Sequence, residues 1–154
     1  KGMVAQLHLA LVMSIKASLL VLDEPTLGLD ILYRKQFHSS LLKDYFDEER
    51  TILITTHQVE EVEHILTDLI FIQDGKIALD ASIDQYPHRF LELRVQPQLA
   101  AQARALTPIH EREQIGRHIF TFKNASREDL ATLGEVHTPG VADLFVAIMQ
   151  GGES

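Results

Sequence analysis

The sequence predicts an α/β fold in which a mostly parallel sheet is followed by a small α+β unit. Two short continuous apolar runs, residues 19–22 and 51–55, are typical of buried strands, and helical patterns surround them. Strands that alternate with helices are joined by right-handed crossovers and lie parallel in one sheet. Near residue 87 the pattern changes to alternating strands with short helices, which indicates a second unit.

Composition excludes several classes of protein. The 154 residues include no Cys and no unbroken apolar run long enough to span a membrane, so a disulfide scaffold and a spanning helix are not expected. The formal net charge of -8 argues against unspecific nucleic-acid binding. No targeting signal is readable, and since an apolar helical pattern is already in progress at Met3, we expect the natural start upstream.

Residues 1–86 are expected to form the first domain. Apolar spacing by three and four residues predicts helices, and β-branched runs predict strands. In order, we expect a helix over 2–15, a strand over 19–22 buried on both faces, a helix over 30–46, a strand over 51–55, a helix whose capping box pairs Thr55 with Gln58, and a hairpin of 69–73 and 76–79 turning at Asp74-Gly75.

Residues 88–150 are expected to form a small α+β accessory domain. The predicted order is strand, helix, strand, strand, helix, strand, which is the split βαβ arrangement, followed by a last helix. These elements are expected over 90–95, 98–106, 112–115, 118–122, a short helix capped by Ser126 and Asp129, and 141–150.

Two adjacent carboxylates, Asp23 and Glu24, close the first predicted strand. Ligands of open α/β sheets bind at the carboxyl ends of the strands, so this is a candidate site. Neighbouring strand residues point to opposite sides, so one carboxylate can face a magnesium ion through its water shell while the other faces an attacking water. Pro25 ends the strand. Two solvated acids before a proline turn are the simpler alternative.

Residues Leu19 to Asp30 resemble the Walker B motif and D-loop of ATP-binding cassette (ABC) ATPases. His57, after the second strand, resembles their switch histidine, and the interval of 33 residues from Glu24 to His57 resembles the family's spacing. Lys1-Gly2-Met3 is similar to the end of the family signature, although Met3 departs from the usual Gln. The resemblance covers residues 1 to about 80.

The resemblance implies a role for each matching residue. Asp23 would support Mg²⁺, Glu24 would polarise the hydrolytic water, and His57 would contact the terminal phosphate of ATP. Asp30 would act across a dimer interface, and the backbone of Gly2 would approach a phosphate at a helix start. Phosphoryl transfer needs charge neutralisation and an oriented water, which fits these residue types.

A phosphate-binding Gly-x-x-x-x-Gly-Lys-Ser/Thr loop is absent, since the one Gly-Lys pair, Gly75-Lys76, precedes Ile77 in the hairpin. We therefore expect this chain to be the carboxyl-terminal portion of a nucleotide-binding subunit, with the second half of a P-loop NTPase (RecA-like) sheet. By itself this portion is expected to be inactive as an ATPase.

For the full subunit the resemblance implies an ATPase of a membrane transporter, with a second nucleotide-binding subunit and membrane-spanning subunits as partners. It would lie in the cytoplasm, peripheral on the inner face of the cell membrane. Substrate, direction of transport and homo- or heterodimer are not readable.

Two other functions stay open. One is a cassette ATPase of DNA repair, chromosome organisation or translation, against which the absence of heptads and of a basic segment argues. The other is a regulatory or dimerisation module, residues 88–150, attached to an inactive ATPase. The histidines do not predict a metal site: His57, Glu61 and His64 share a helix side that we expect to be solvated, with Glu60 and Glu63.

Overall fold

The computed structural model describes residues 2–47 and 49–151, without the side chains of residues 2, 3, 5 and 6. The chain divides into two compact units, residues 1–65 and 66–154. The predicted hairpin therefore falls in the second unit. The assignment of residues 1–86 and 88–150 to separate domains of a longer protein stays a prediction.

The first unit contains three helices and two strands among its described residues. In chain order they are α1 (Gly2–Met13), β1 (Leu19–Asp23), α2 (Ile31–Ser40) continued by a π-helical turn (Leu41–Tyr45), β2 (Thr51–Thr55), and α3 (Val59–Val62) continued by a 3₁₀ turn (Glu63–Ile65). β1 and β2 pair in parallel from Leu19↔Thr51 to Asp23↔Thr55. Among the described strands this is the one parallel pair, so the prediction of a mostly parallel sheet is confirmed only for β1 and β2.

One face of the β1–β2 sheet forms the core of the first unit. Its buried residues are Leu20, Leu22, Phe37, Leu41 and Tyr45, packed against Leu9, Val12, Met13, Ile52, Ile54 and Ile65. The opposite face is exposed, with Leu19 and Val21 more than half exposed at 54% and 56%. The prediction that β1 is buried on both faces is therefore wrong for this structure, because the described helices cover one face only.

The second unit contains a hairpin, a four-stranded sheet and four helices among its described residues. The elements are β3 (Asp68–Gln73), β4 (Lys76–Ser82), α4 (Tyr86–Arg89), β5 (Phe90–Val95), a 3₁₀ turn (Pro97–Leu99), α5 (Ala100–Arg104), β6 (His110–Gln114), β7 (Arg117–Lys123), α6 (Arg127–Ala131), β8 (Glu135–His137) and α7 (Val141–Gly151). β3 and β4 pair antiparallel, and the larger sheet has the order β6-β7-β5-β8 with all neighbours antiparallel.

The split βαβ order predicted for this region is confirmed by the strand order and by the helices between the strands. Ser126 caps α6 as expected, since its Oγ accepts a hydrogen bond from the backbone N–H of Asp129 at 3.3 Å. One face of the sheet packs on the helices through a core of Leu91, Leu93, Val95, Ala100, Ala103, Phe120, Phe122 and Leu130.

Candidate functional site

The candidate site lies at the carboxyl ends of β1 and β2, which meet at one edge because the strands are parallel. The backbone N–H of Glu24 donates to the carbonyl of Thr55 at 2.9 Å, so the pairing continues one residue beyond β1. Glu24 then adopts a positive φ of 44°, a left-handed conformation that a non-glycine residue seldom takes. This bend directs the chain out of the sheet at the carboxylate pair.

Glu24 and His57 are brought into direct contact. The Nδ1 atom of His57 lies 2.6 Å from Oε1 of Glu24, and the backbone N–H of His57 donates to the same oxygen at 2.9 Å. The hydroxyl of Thr56 donates to Oε2 of Glu24 at 3.1 Å. The His57 side chain is 68% exposed and that of Glu24 is 28% exposed. Glu24 and His57, the dyad, are thus held by hydrogen bonds within the protein and remain accessible to solvent.

The electrostatics of the dyad favour a charged carboxylate. The hydrogen bond from the His57 side chain is the main reason that the pKa of Glu24 lies below its ordinary value, with smaller lowering contributions from the His57 backbone and Thr56. Desolvation acts in the opposite direction and is outweighed. Glu24 is therefore ionised throughout the neutral range, as a group that polarises water must be.

Asp23 faces a different partner. Its Oδ1 accepts a hydrogen bond from the hydroxyl of Thr55, and the residue is exposed. Among the described residues no group bonds its second oxygen. An exposed carboxylate oxygen is the donor chemistry that Mg²⁺ takes, directly or through a water. The residue thus fits the magnesium role expected of it. Asp23 and Glu24 have different partners, but Glu24 lies beyond β1 with a positive φ, so the expected alternation of strand residues does not apply to it.

Asp30 caps α2. Its Oδ1 accepts hydrogen bonds from the backbone N–H groups of Leu32 at 3.0 Å and Tyr33 at 3.1 Å. This is an N-cap, which satisfies donors that the helix leaves unpaired. The structure thus gives Asp30 a local role, while its expected action across a dimer interface stays a prediction. Gly2 lies in α1, and its expected place at a helix start beside a phosphate also stays a prediction.

Three residues near the dyad were not among the predicted site residues. The hydroxyl of buried Thr26 donates to Oε2 of Glu61 at 3.1 Å, and Oε1 of Glu61 forms an ion pair with Nη1 of Arg34. The expectation that Glu61 belongs to a solvated helix side is therefore wrong, since its side chain is 22% exposed and paired. The sequence gives no signal for this cluster, because its members lie far apart along the chain.

The start of α3 also differs from the expected capping box. The N-cap of α3 is Gln58, without a capping side-chain hydrogen bond, and the backbone N–H of Gln58 donates to Oγ1 of Thr56 at 3.0 Å. Thr55 instead donates to Asp23. Within residues 2–47 and 49–151 there is no group of three or more His, Cys, Asp or Glu side chains arranged to hold a metal, and no helix is long and apolar enough to cross a membrane.

Relatives of known name match more than half of the chain. The ABC transporter ATP-binding protein YtrB of Bacillus subtilis is 26% identical over 94 residues, 61% of this chain and 32% of the relative. The lantibiotic transport ATP-binding protein SrtF of Streptococcus pyogenes is 36% identical over 83 residues, 54% of this chain and 36% of the relative. The aliphatic sulfonates import ATP-binding protein SsuB of Escherichia coli is 31% identical over 106 residues, 67% of this chain and 41% of the relative.

These matches confirm the resemblance that the sequence motifs indicate. The matched region spans about a third of the length of two of these relatives, 32% of YtrB and 36% of SrtF. No model of a known protein family matches the chain. The names of SrtF and SsuB refer to different cargo and that of YtrB refers to none, so the names carry no substrate for this protein.

Proposed function

We propose that this chain, which is related to the ATP-binding proteins of ABC transporters, is the carboxyl-terminal part of an ATP-hydrolysing subunit that drives transport. The observation that carries the proposal is the contact between Glu24 and His57, at 2.6 Å, at the carboxyl edge of two parallel strands. In this proposal β1 and β2 belong to a larger P-loop NTPase sheet of the RecA-like type. The exposed apolar face of the pair supports it, since further elements of such a sheet would cover it.

In the proposed site Glu24 orients and polarises the attacking water. An ionised carboxylate only accepts hydrogen bonds, so Nδ1 of His57 donates to Glu24. For Nε2 of His57 to donate to a phosphate oxygen at the same time, the ring must carry both protons. The imidazole then adds positive charge where negative charge develops, and its contact with Glu24 fixes the distance between water-orienting and phosphate-binding groups.

Asp23 is the residue that would hold Mg²⁺, with water between them. The ion, when bound with ATP, neutralises phosphate charge. The Thr55 hydroxyl orients the Asp23 carboxylate and leaves its other oxygen for this role. We assign Gly2 to the neighbourhood of a phosphate and Asp30 to the interface with a second nucleotide-binding subunit.

The partners and location follow from the same proposal. The subunit would pair with a second nucleotide-binding subunit and with membrane-spanning subunits, and it would lie in the cytoplasm at the inner face of the membrane. Residues 88–150 would form an accessory domain. The rival functions in DNA repair, chromosome organisation or translation have no supporting relative among those described above, whose names are those of transport proteins.

The test replaces Glu24 by Gln in the longer subunit. Glutamine keeps the size and removes the charge, so turnover should fall by about 100-fold or more while ATP binding persists. Single-turnover hydrolysis and nucleotide titration measure the two effects. Glu60→Gln, the same substitution at an exposed position of α3, is the matched control and should leave turnover unchanged.

The 154-residue chain itself should show neither MgATP binding nor turnover in these assays, because it lacks the phosphate-binding loop. Hydrolysis by Glu24→Gln at the rate of the parent subunit would remove Glu24 from the catalytic role.

A further inference from the structure

A cluster of side chains behind the dyad connects the two segments on which Glu24 and His57 lie. Arg34, on α2, is its centre. Its Nε donates to the carbonyl of Leu29 at 2.8 Å, and its Nη1 donates to Oε1 of Gln58 at 3.2 Å and pairs with Glu61. Arg34 thus bonds the turn that follows Glu24 and the helix that follows His57.

Glu61 makes the same connection from the other side. One carboxylate oxygen pairs with Arg34 and the other accepts from the hydroxyl of Thr26, two residues after Glu24. Thr26 is 2% exposed, so its hydroxyl needs a partner inside the protein. Glu61 supplies that partner from α3, four residues after His57.

The segments that carry Glu24 and His57 are therefore joined on both sides of the dyad. On the strand side, the Glu24 backbone N–H bonds the Thr55 carbonyl at 2.9 Å. On the far side, Arg34 and Glu61 hold the turn against α3. Neither residue contacts the Glu24 carboxylate itself, and the pKa of Glu24 is governed by His57, burial and Thr56, not by the charges of Arg34 or Glu61.

We propose that Arg34 and Glu61 are positioning residues, which hold the segments of Glu24 and His57 at the separation that their contact requires. The kinetic consequence rests on the proposed function, whereas the geometric claim does not. Loss of either residue should leave β1 and β2 paired but let α3 move relative to the turn. Small displacements of catalytic groups are costly, because rate depends steeply on their placement.

The first test is made on the 154-residue chain. The backbone N–H of His57, which donates to Oε1 of Glu24 at 2.9 Å, is followed by NMR hydrogen exchange at one pH in the parent chain, in Arg34→Gln and in Glu61→Gln. In both variants this N–H should exchange about 10-fold faster or more, because its hydrogen bond to Glu24 lengthens.

Arg50 provides a matched control. It is an arginine of the same unit that pairs with Asp47 at 3.1 Å and donates to the Tyr45 carbonyl at 2.7 Å, as Arg34 pairs with Glu61 and donates to a carbonyl. Arg50→Gln should lower stability without speeding the exchange of the His57 N–H relative to the rest of the unit. If Arg34 had only a structural role, both arginine variants would speed this exchange equally, and the comparison of the two decides between these roles.

The second test uses the longer subunit. Arg34→Gln and Glu61→Gln should lower kcat by about 10- to 100-fold with a smaller change in KM for ATP, since the phosphate-binding loop expected in the longer subunit is left untouched. Arg34→Lys keeps the charge and one donor position, and should restore part of kcat. Arg50→Gln should leave kcat at the parent level.

The outcomes separate the two claims. If the parent subunit does not hydrolyse ATP, the proposed function fails and hydrogen exchange of the His57 N–H still decides the positioning role. If Arg34→Gln and Glu61→Gln are folded but keep both the parent exchange rate of this N–H and kcat, the positioning role is overturned. Should Arg34→Gln not fold, Glu61→Gln, which preserves the size but replaces one accepting oxygen with an NH2 donor, gives the decision by the same two readouts.

Discussion

The two units of the chain use their carboxylates in opposite ways. In residues 1–65, Glu24 lies at an open edge and contacts a histidine that is 68% exposed. In residues 66–154, Glu92 is 1% exposed and bonds two arginines, Arg94 and Arg112, at 2.8 Å each. A carboxylate with two arginine partners inside a sheet is fixed in place, whereas one with an exposed imidazole partner remains accessible to a ligand. The contrast separates a structural acid from a candidate catalytic one.

The two units also differ in whether one or both faces of their sheets are buried. β5 buries residues on both of its faces, with Leu93 and Val95 on one and Phe90 and Glu92 on the other. β1 buries Leu20 and Leu22 on one face only. The second unit thus has a complete core but none of the predicted site residues, and the first has the site on a half-covered sheet.

The largest effect is expected from truncating the complete core. Phe120 is fully buried in the second unit, so Phe120→Ala should cost about 3–5 kcal/mol of that unit's stability through a cavity and lost apolar contacts. Leu53 lies on the exposed face of the first unit at 47% exposure, so Leu53→Ala should cost less than about 1 kcal/mol. Native-state hydrogen exchange measures each unit separately.

Leu53→Ala also sharpens the comparison in the longer subunit. If further elements of a P-loop sheet cover this face there, the same substitution should cost about 2–5 kcal/mol. Equal costs in the short chain and the longer subunit would contradict the proposed continuation of the sheet. A cost in the short chain as large as that of Phe120→Ala would contradict the half-covered sheet itself.

A smaller effect should follow acidification of the first unit. His38 is 4% exposed and its Nε2 has no described hydrogen-bond partner. Burial is the main cause that lowers its pKa, and the charges of His64 and Arg34 act in the same direction. Below the ordinary histidine pKa of about 6.5 the unfolded chain therefore binds more protons than the folded one.

The contribution of neutral His38 to the free energy of unfolding is thus fully present above about pH 6.5, and it is lost as pH falls toward the lower pKa of the folded state. Urea unfolding of the first unit at about pH 7 and about pH 5.5 measures the loss. In His38→Gln, which cannot titrate, most of this difference should disappear. A variant that loses as much stability on acidification as the parent would assign the effect to other groups.

The smallest effect concerns two hairpin turns of the second unit. Asp74-Gly75 and Ile115-Gly116 each join adjacent strands with positive φ at both residues, 51° and 74° in the first and 50° and 68° in the second. Aspartate tolerates this conformation, whereas a β-branched isoleucine is strained in it. Ile115 is 96% exposed, so the side chain gains little from packing.

Ile115→Asn should therefore stabilise the second unit by about 0.5–1 kcal/mol, since Asn-Gly is favoured in this turn. Asp74→Ala, the reverse comparison at the other turn, should destabilise it by a similar amount. Thermal unfolding followed by hydrogen exchange within the second unit measures both. A loss of stability in Ile115→Asn would show that the isoleucine has a contact that compensates the strain.

The sequence by itself determined most of the order of helices and strands, because periodicity and turn residues are local properties, but it did not predict the short helix α4. The Asp74-Gly75 turn, the Ser126 cap and the split βαβ order follow from it. It also placed Asp23, Glu24 and His57 at strand ends, since strand runs followed by polar residues are visible without a structure.

Only the tertiary structure decided which groups meet. Thr55 and Thr56 are adjacent, yet the first bonds Asp23 and the second bonds Glu24 and the backbone N–H of Gln58. Glu61 is equivalent in sequence to its acidic neighbours and differs by facing Arg34 and Thr26. The burial of a strand face likewise depends on what packs against it, and an apolar run such as that of β1 does not contain this information.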